Sequence, residues 1–286
     1  MTSHPAIAAG RTAVITGAAS GIGLAAARRF AGLGLNLCLA DLPGAALDEA
    51  ARTVGAIAAT TAARALAVPT DVAGIEAVER LKDTAYREFG DVAVLMNNAA
   101  VNGGAGPWEK YDIWRRTLDV NLWGVVNGVH AFAPTMIAQG TTAAIINTGS
   151  KQGITMPPGN TVYNLAKAGV KALTEAMAHE LRNLPRCRVT AHLLIPGFTF
   201  TGITAQRDKP PAAWTAEQVI DFMLAALGQG DFYILCPDNA VTRTMDERRM
   251  QWATDDIVKN RPPLSRWHPD YAAEFERFIT ERARNP

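Results

Sequence analysis

Tyr163 and Lys167 stand four residues apart, and Ser150 precedes the tyrosine by thirteen. A tyrosine and a lysine at that spacing project from one face of a helix. A free phenol, with a pKa of about 10, keeps its proton at neutral pH, so an adjacent ammonium is what would favour the phenolate and let it act as a base. The chemistry within reach is removal of the hydroxyl proton from an alcohol whose carbon gives up a hydride. A plainer arrangement is open to the same residues. The tyrosine could be a packed ring beside a solvated lysine, Ser150 a turn residue before Gly153, and Asn121, inside LDVNLWG, a helix hydrogen-bonding residue.

A second cluster lies at the start of the chain, where TGAASGIG spans residues 16–23 between an apolar run and an Ala-rich segment. Glycines at Gly17, Gly21 and Gly23 let the backbone turn tightly and approach a pyrophosphate, and the helix that follows offers free N–H groups and the positive end of its dipole. A tight turn that merely needs positive φ is the alternative. Asp41, at the end of the next apolar run, strengthens the nucleotide reading. A carboxylate there accepts hydrogen bonds from both adenosine ribose hydroxyls and repels the extra phosphate of NADP. No Arg or Lys among Ala18, Ala19, Ser20, Ala40 and Leu42 offsets that repulsion, which favours NAD. A helix N-cap or turn role for Asp41, ahead of LPG, is the other possibility.

These residues need a scaffold, and the pattern supplies one. Apolar runs at 13–16, 35–40, 65–68, 92–96, 143–148, 189–194 and 232–235 have the length of buried parallel strands. Segments such as 21–33, 74–89, 112–132, 161–183 and 215–228 are long enough for helices between them. The alternation predicts an α/β fold, a doubly wound Rossmann-like parallel seven-stranded sheet flanked by helices. Pro157, Pro158 and Gly159 mark a rigid loop before the segment bearing Tyr163, and the loop from Phe198 to Pro211 is a candidate lid. Helices are expected near 243–258 and 270–283, with the charges of DERR and ERAR on solvated faces. Residues 1–240 then form the dinucleotide-binding and catalytic domain, and 241–286 a C-terminal extension packed on it or on a neighbouring subunit.

Bulk properties narrow the functional classes. A 286-residue chain with 48% hydrophobic content buries a substantial core, and α/β chains of this size commonly stay single domains. A net charge of +1 with dispersed Lys and Arg leaves no footprint for nucleic acid. No apolar stretch approaches the roughly 20 residues of a membrane span, and MTSHPAIAAGR carries no secretory pattern. Cys38, Cys187 and Cys236 read as reduced core residues, not as a disulfide or metal framework. A cytoplasmic location and no metal are expected.

With Asn121, Ser150, Tyr163 and Lys167 in this order and at these spacings, the chain resembles the short-chain dehydrogenase/reductase family over about residues 11–240. The resemblance implies that Tyr163 is the base and that Lys167 lowers its pKa and bonds the nicotinamide ribose. It also implies that Ser150 bonds the reacting oxygen and that Asn121 holds a water linking Lys167 to solvent. For the cofactor it implies Thr16, Gly17, Ser20, Gly21, Ile22 and Gly23 at the pyrophosphate, Asp41 at the ribose, and Asp71 and Val72 beside the adenine. Asp71 could equally cap the helix beginning near Gly74. Asn98, Ala99 and Ala100 match the family's NNAG element, with Ala100 where glycine is usual, and Pro196, Gly197, Thr199 and Thr201 match the element that holds the carboxamide. The tail replaces the short glycine-containing ending common in the family.

Substrate walls are expected from the loops at the carboxyl ends of the strands. Asn102, Trp108, Gln152, Met156, Phe198 and Phe200 are the candidates, which suits a secondary alcohol or ketone with a hydrophobic or ring body. Lys151 would attract an anionic substrate group or stand solvated. Family resemblance further implies a homodimer or homotetramer built on helices such as 112–132 and 161–183. The extension, with Arg261, Pro262, Pro263, Trp267 and His268, would cover a neighbour's pocket, its own sheet, or only surface. Rival activities are a non-catalytic NAD sensor and an isomerase or dehydratase using transient hydride transfer.

Overall fold

Seven apolar runs become seven parallel strands: the inner five are largely buried on both faces, a demand that continuous Val, Ile, Leu and Ala meet, while the two edge runs are only partly covered. A computed structural model of the chain describes residues 4–202 and 208–280. The strands are β1 (Thr12–Thr16), β2 (Asn36–Asp41), β3 (Ala65–Pro69), β4 (Val94–Asn97), β5 (Ala143–Thr148), β6 (Val189–Ile195) and β7 (Tyr233–Leu235). They form one sheet in the order β3-β2-β1-β4-β5-β6-β7, parallel at every pairing. The order reverses between β1 and β4, and ligands bind in such sheets at the crevice outside the carboxyl ends of the strands at that point.

The helices are α1 (Gly21–Gly32), α2 (Ala45–Ala59), α3 (Ile75–Phe89), α4 (Tyr111–Leu118), α5 (Gly124–Ala138), α6 (Gln152–Thr155), α7 (Thr161–Asn183), α8 (Ala216–Gln229), α9 (Arg243–Val258) and α10 (Ala272–Thr280). One face of the sheet packs on α1, α2 and α8 through residues such as Phe30, Leu47, Val54 and Met223. The other packs on α3, α5 and α7 through Leu81, Phe132, Met136 and Met177. The predicted single segment 112–132 is two helices joined by a π-helical turn, Asp119–Trp123, and it is this turn that carries Asn121.

A buried polar chain fixes α7 against the sheet. The Asn97 amide donates to Asn147 Oδ1 (2.9 Å), the Asn147 amide to Thr174 Oγ1 (3.0 Å), and Thr174 to the Val170 carbonyl (2.6 Å). The chain links β4, β5 and the helix bearing Tyr163 and Lys167 and so holds them in register, although Asn97 Oδ1 is left without a hydrogen-bond partner. Cys38 and Cys236 are buried and Cys187 half-buried, all as free thiols, and burial pushes the Cys38 thiol up to about 12. No helix among the described residues is long and apolar enough to cross a membrane. Residues 203–207 of the candidate lid, the 281–283 end of the last predicted helix and the ERAR charges lie outside the described residues.

Candidate active site

At the carboxyl end of β1 the chain reaches α1 through a turn that only glycine completes. Gly17 (φ +68°) and Gly21 (φ +52°) are left-handed. A Cβ on Gly23 would run into the Gly17 carbonyl and lie 2.7 Å from the Asn98 amide nitrogen. Ser20, at the N-cap of α1, makes no side-chain bond to the helix and no acidic residue occupies the first turn. The opening N–H groups and the positive end of the dipole therefore suit a bound anion. Thr16 ties the turn to the neighbouring strand, its Oγ1 accepting from the N–H groups of Asn98 (2.9 Å) and Ala99 (3.1 Å). Thr16 and Gly23 thus shape the site from behind its wall. Gly23→Ala is expected to weaken dinucleotide affinity about tenfold or more and to cost about 1–3 kcal/mol of stability. Equilibrium titration with thermal unfolding checks both, and unchanged affinity would remove this turn from the phosphate site.

The turn opens into a cavity of about 1140 Å³, lined in part by Gly17, Ser20, Gly21, Ile22 and Asp41. Asp41 is held by the N–H groups of Ala19 (2.9 Å) and Leu42 (2.8 Å), which fixes its carboxylate at the cavity wall. Asp71 and Val72 also line it. Asp71 Oδ1 accepts from the Ala73 N–H (3.0 Å), while the N-cap of α3 is Gly74, so Asp71 closes a local turn ahead of the helix. Asn98, Ala99 and Ala100 form the floor between the two halves, and Pro196, Gly197, Thr199 and Thr201 the far side. A Cβ on Gly21 would lie 3.1 Å from the Thr201 side chain, which brings the loop after β6 over the glycine turn.

Ser150, Tyr163 and Lys167 come together on the same cavity. Ser150 Oγ accepts from the Gln152 N–H at 3.2 Å, which leaves its proton for Tyr163. Burial pushes the Tyr163 phenol up, and the hydrogen bond from Ser150 opposes that rise. Lys167 is 2% exposed; its ammonium donates to the Thr148 carbonyl at 2.8 Å and lies 5.7 Å from the centre of the Tyr163 ring. Burial lowers its pKa to about 8. Space for it exists because Gly153 touches the backbone of Lys167, where a Cβ would come within 2.5 Å. The predicted pair is present, but burial opposes both charges instead of favouring the phenolate outright.

Several placements depart from expectation. Asn121 does not line the cavity: its amide bonds the Val101 backbone at both ends, accepting at 2.7 Å and donating at 2.8 Å. Its side chain therefore clamps the loop after β4. Asn102, Gln152 and Phe198 line the cavity, whereas Trp108, Met156 and Phe200 do not. Trp108 is 87% exposed, Met156 takes a left-handed conformation (φ +48°) that ends α6, and Phe200 bonds the Trp214 backbone. Asn160 was missed. It lines the cavity and donates to Asn102 Oδ1 at 3.0 Å, and its position just ahead of α7 was the available signal. Arg115, Arg116, Asp112 and Asp119 add a charged margin from α4 and the π-helical turn, with no motif to announce them. Lys151 lines the cavity and is ion-paired with Asp238 and Asp246.

Comparison with known proteins bears on the family and the fold. The family described as short chain dehydrogenase matches residues 11–212. The chain is 34% identical over 265 residues to 1-deoxy-11-beta-hydroxypentalenate dehydrogenase of Streptomyces exfoliatus, covering 90% of this chain and 94% of that one. It is 35% identical over 212 residues to 3beta-hydroxysteroid dehydrogenase 1 of Eggerthella lenta, covering 73% and 78%. Among solved structures, a short chain dehydrogenase/reductase from Burkholderia phymatum in complex with NAD superimposes with a TM-score of 0.79 at 33% identity, covering 89% of this chain and 96% of that one.

Proposed function

The chain belongs to the short-chain dehydrogenase family and is an oxidoreductase acting on hydroxyl groups, and from that premise we propose that it interconverts a secondary alcohol and a ketone, using NAD and a Ser150, Tyr163 and Lys167 site. The observation that carries the proposal is the meeting of these three side chains on the cavity that also holds the glycine turn and Asp41. The fold binds a nicotinamide cofactor, and bound nicotinamide supplies a hydride acceptor. The residues fit it: a glycine cradle that any Cβ would fill, an uncapped helix N-terminus and a carboxylate at the end of β2.

In this reading Tyr163 removes the alcohol proton while the carbinol carbon gives up a hydride, so the two electrons of the C–H bond leave and a C=O bond forms. Ser150 positions the substrate oxygen and stabilises its developing negative charge. Lys167 spends one of its three protons on Thr148, leaving two for the ribose and a positive charge that favours the phenolate. Asn121 belongs to the site as the clamp of the Val101 loop. Phe198, Asn102, Gln152 and Asn160 suit an apolar ring body with one or two amide contacts. Dimer or tetramer formation through α5 and α7, where Trp123 of the preceding π-helical turn and Leu165 of α7 stand exposed, and a cytoplasmic location are part of the same proposal.

A panel of alicyclic secondary alcohols offered with NAD or NADP tests it. Reduced dinucleotide is expected to accumulate, with the larger kcat/KM for NAD; conversion without net reduction would indicate an isomerase or dehydratase. Asp41→Asn keeps an acceptor for the Ala19 N–H and removes the charge, so the NADP to NAD ratio of kcat/KM is expected to rise about tenfold or more.

A further inference from the structure

Lys151 follows the proposed Ser150 in the chain and lines the same cavity, and its ammonium joins two carboxylates. It lies 2.6 Å from Asp246 and 3.3 Å from Asp238, with side-chain exposures of 16% for the lysine, 6% for Asp246 and 5% for Asp238. Asp246 sits in the first turn of α9, whose N-cap Thr242 accepts from the Met245 N–H. Asp238 Oδ2 also accepts from the Phe198 N–H at 3.2 Å, and the Lys151 N–H donates to the Pro196 carbonyl at 3.3 Å. Gly197 is enclosed between them, since a Cβ there would lie 2.7 Å from Asp238 Oδ2 and 2.9 Å from Lys151 Nζ. Two loops that wall the substrate end, after β5 and after β6, are therefore tied to each other and to the extension at one buried point.

The extension is itself well packed. Trp252 on α9 is 2% exposed, stacks under Arg261 at 3.9 Å, packs edge-on to Phe275 and donates to Ser265 Oγ at 2.8 Å. Asp256 joins Arg261 and the Ser265 N–H. Burial pushes the Asp246 carboxyl up and Lys151 opposes it. An ion pair so enclosed is costly to leave half-made.

We propose that Asp246 is a positioning residue through which the C-terminal extension sets the geometry of the substrate end, holding Lys151 and with it the Ser150–Gln152 and Pro196–Phe198 segments. The inference rests on the reading of Ser150 and Tyr163 as the reacting site. Asp246 touches neither substrate nor cofactor, so its removal acts on orientation. For Asp246→Asn, kcat/KM for the alcohol is expected to fall about 10- to 100-fold, chiefly in kcat, with a loss of dinucleotide affinity, through Pro196 and Gly197, several-fold smaller than the loss of rate. Lys151→Met, which leaves α9 untouched, is expected to match it, and the double variant to lose no more than Lys151→Met alone, because paired residues are not additive. Asp246→Glu, which keeps the charge, is expected to recover most of the rate.

Amide exchange over 150–156 and 197–199 gives a readout that needs no turnover, and faster exchange is expected in both single variants. Unchanged exchange there would overturn the proposal, as would a rate loss matched by an equal loss of dinucleotide affinity. Faster exchange in both variants, together with a wild-type protein that reduces no dinucleotide with any alcohol, would reject the assigned chemistry and leave the positioning role standing.

Discussion

Tyr163→Phe is expected to lower alcohol oxidation by about 10²- to 10⁴-fold while dinucleotide affinity stays within about twofold. Phenylalanine keeps the ring on the cavity wall beside Lys167 and deletes only the oxygen that Ser150 bonds. An interaction used only in the transition state depresses kcat and kcat/KM together, and substrate binding is expected to change little. Steady-state kinetics with a fluorescence titration of the dinucleotide separates the two terms. Turnover near the wild-type level would remove Tyr163 from the chemistry, and a collapse of dinucleotide binding would make its role structural.

Lys167→Met is expected to produce the second large effect, visible in the pH profile. Tyr163 and Lys167 are close enough to titrate as a pair, so apparent values belong to the pair. Burial brings the lysine down to about 8 and pushes the phenol up, so the pair releases its first proton near 8. The species that remains has one proton for two sites, and its phenolate–ammonium form is the active one. For oxidation, kcat/KM is therefore expected to rise about tenfold per pH unit below that value and to level above it. With methionine at 167 the phenol alone must ionise against burial, which moves the rising limb above 10 and leaves about a hundredth or less of the rate at neutral pH.

Stability should report the same lysine with a definite sign. The folded value of about 8 lies below the ordinary 10.5, so between the two the unfolded chain holds more protons than the native protein. Lys167 then makes the protein more stable as pH rises through that window, and the methionine variant should lose this slope. Denaturant unfolding at several pH values measures it; an unchanged slope would contradict a buried amine.

Much of the molecule was legible in local sequence. Strand runs such as AAIINT and VAVLM became β5 and β4, since a parallel strand's burial on both faces is written in its own residues. The helix Ala45–Ala59 went unassigned although its buried Leu47, Ala50, Val54 and Ala58 fall at helical spacing, a signal present and unread. The Ser150, Tyr163 and Lys167 set and the glycine turn were legible because their spacing along one strand end and one helix places them with few alternatives.

What the sequence by itself determined was the alternating architecture, the glycine turn with Asp41 after β2, and a tyrosine and lysine on one helical face. Each depends on periods of two or 3.6 residues or on a single backbone turn. Only the tertiary structure decided that Asn121 clamps Val101, that Trp108, Met156 and Phe200 stand off the cavity, that Lys167 leans on the Thr148 carbonyl, and that Lys151 belongs to Asp238 and Asp246. Those outcomes are contacts between segments remote in the chain, whose partners are chosen by how whole elements pack, and no local period encodes them.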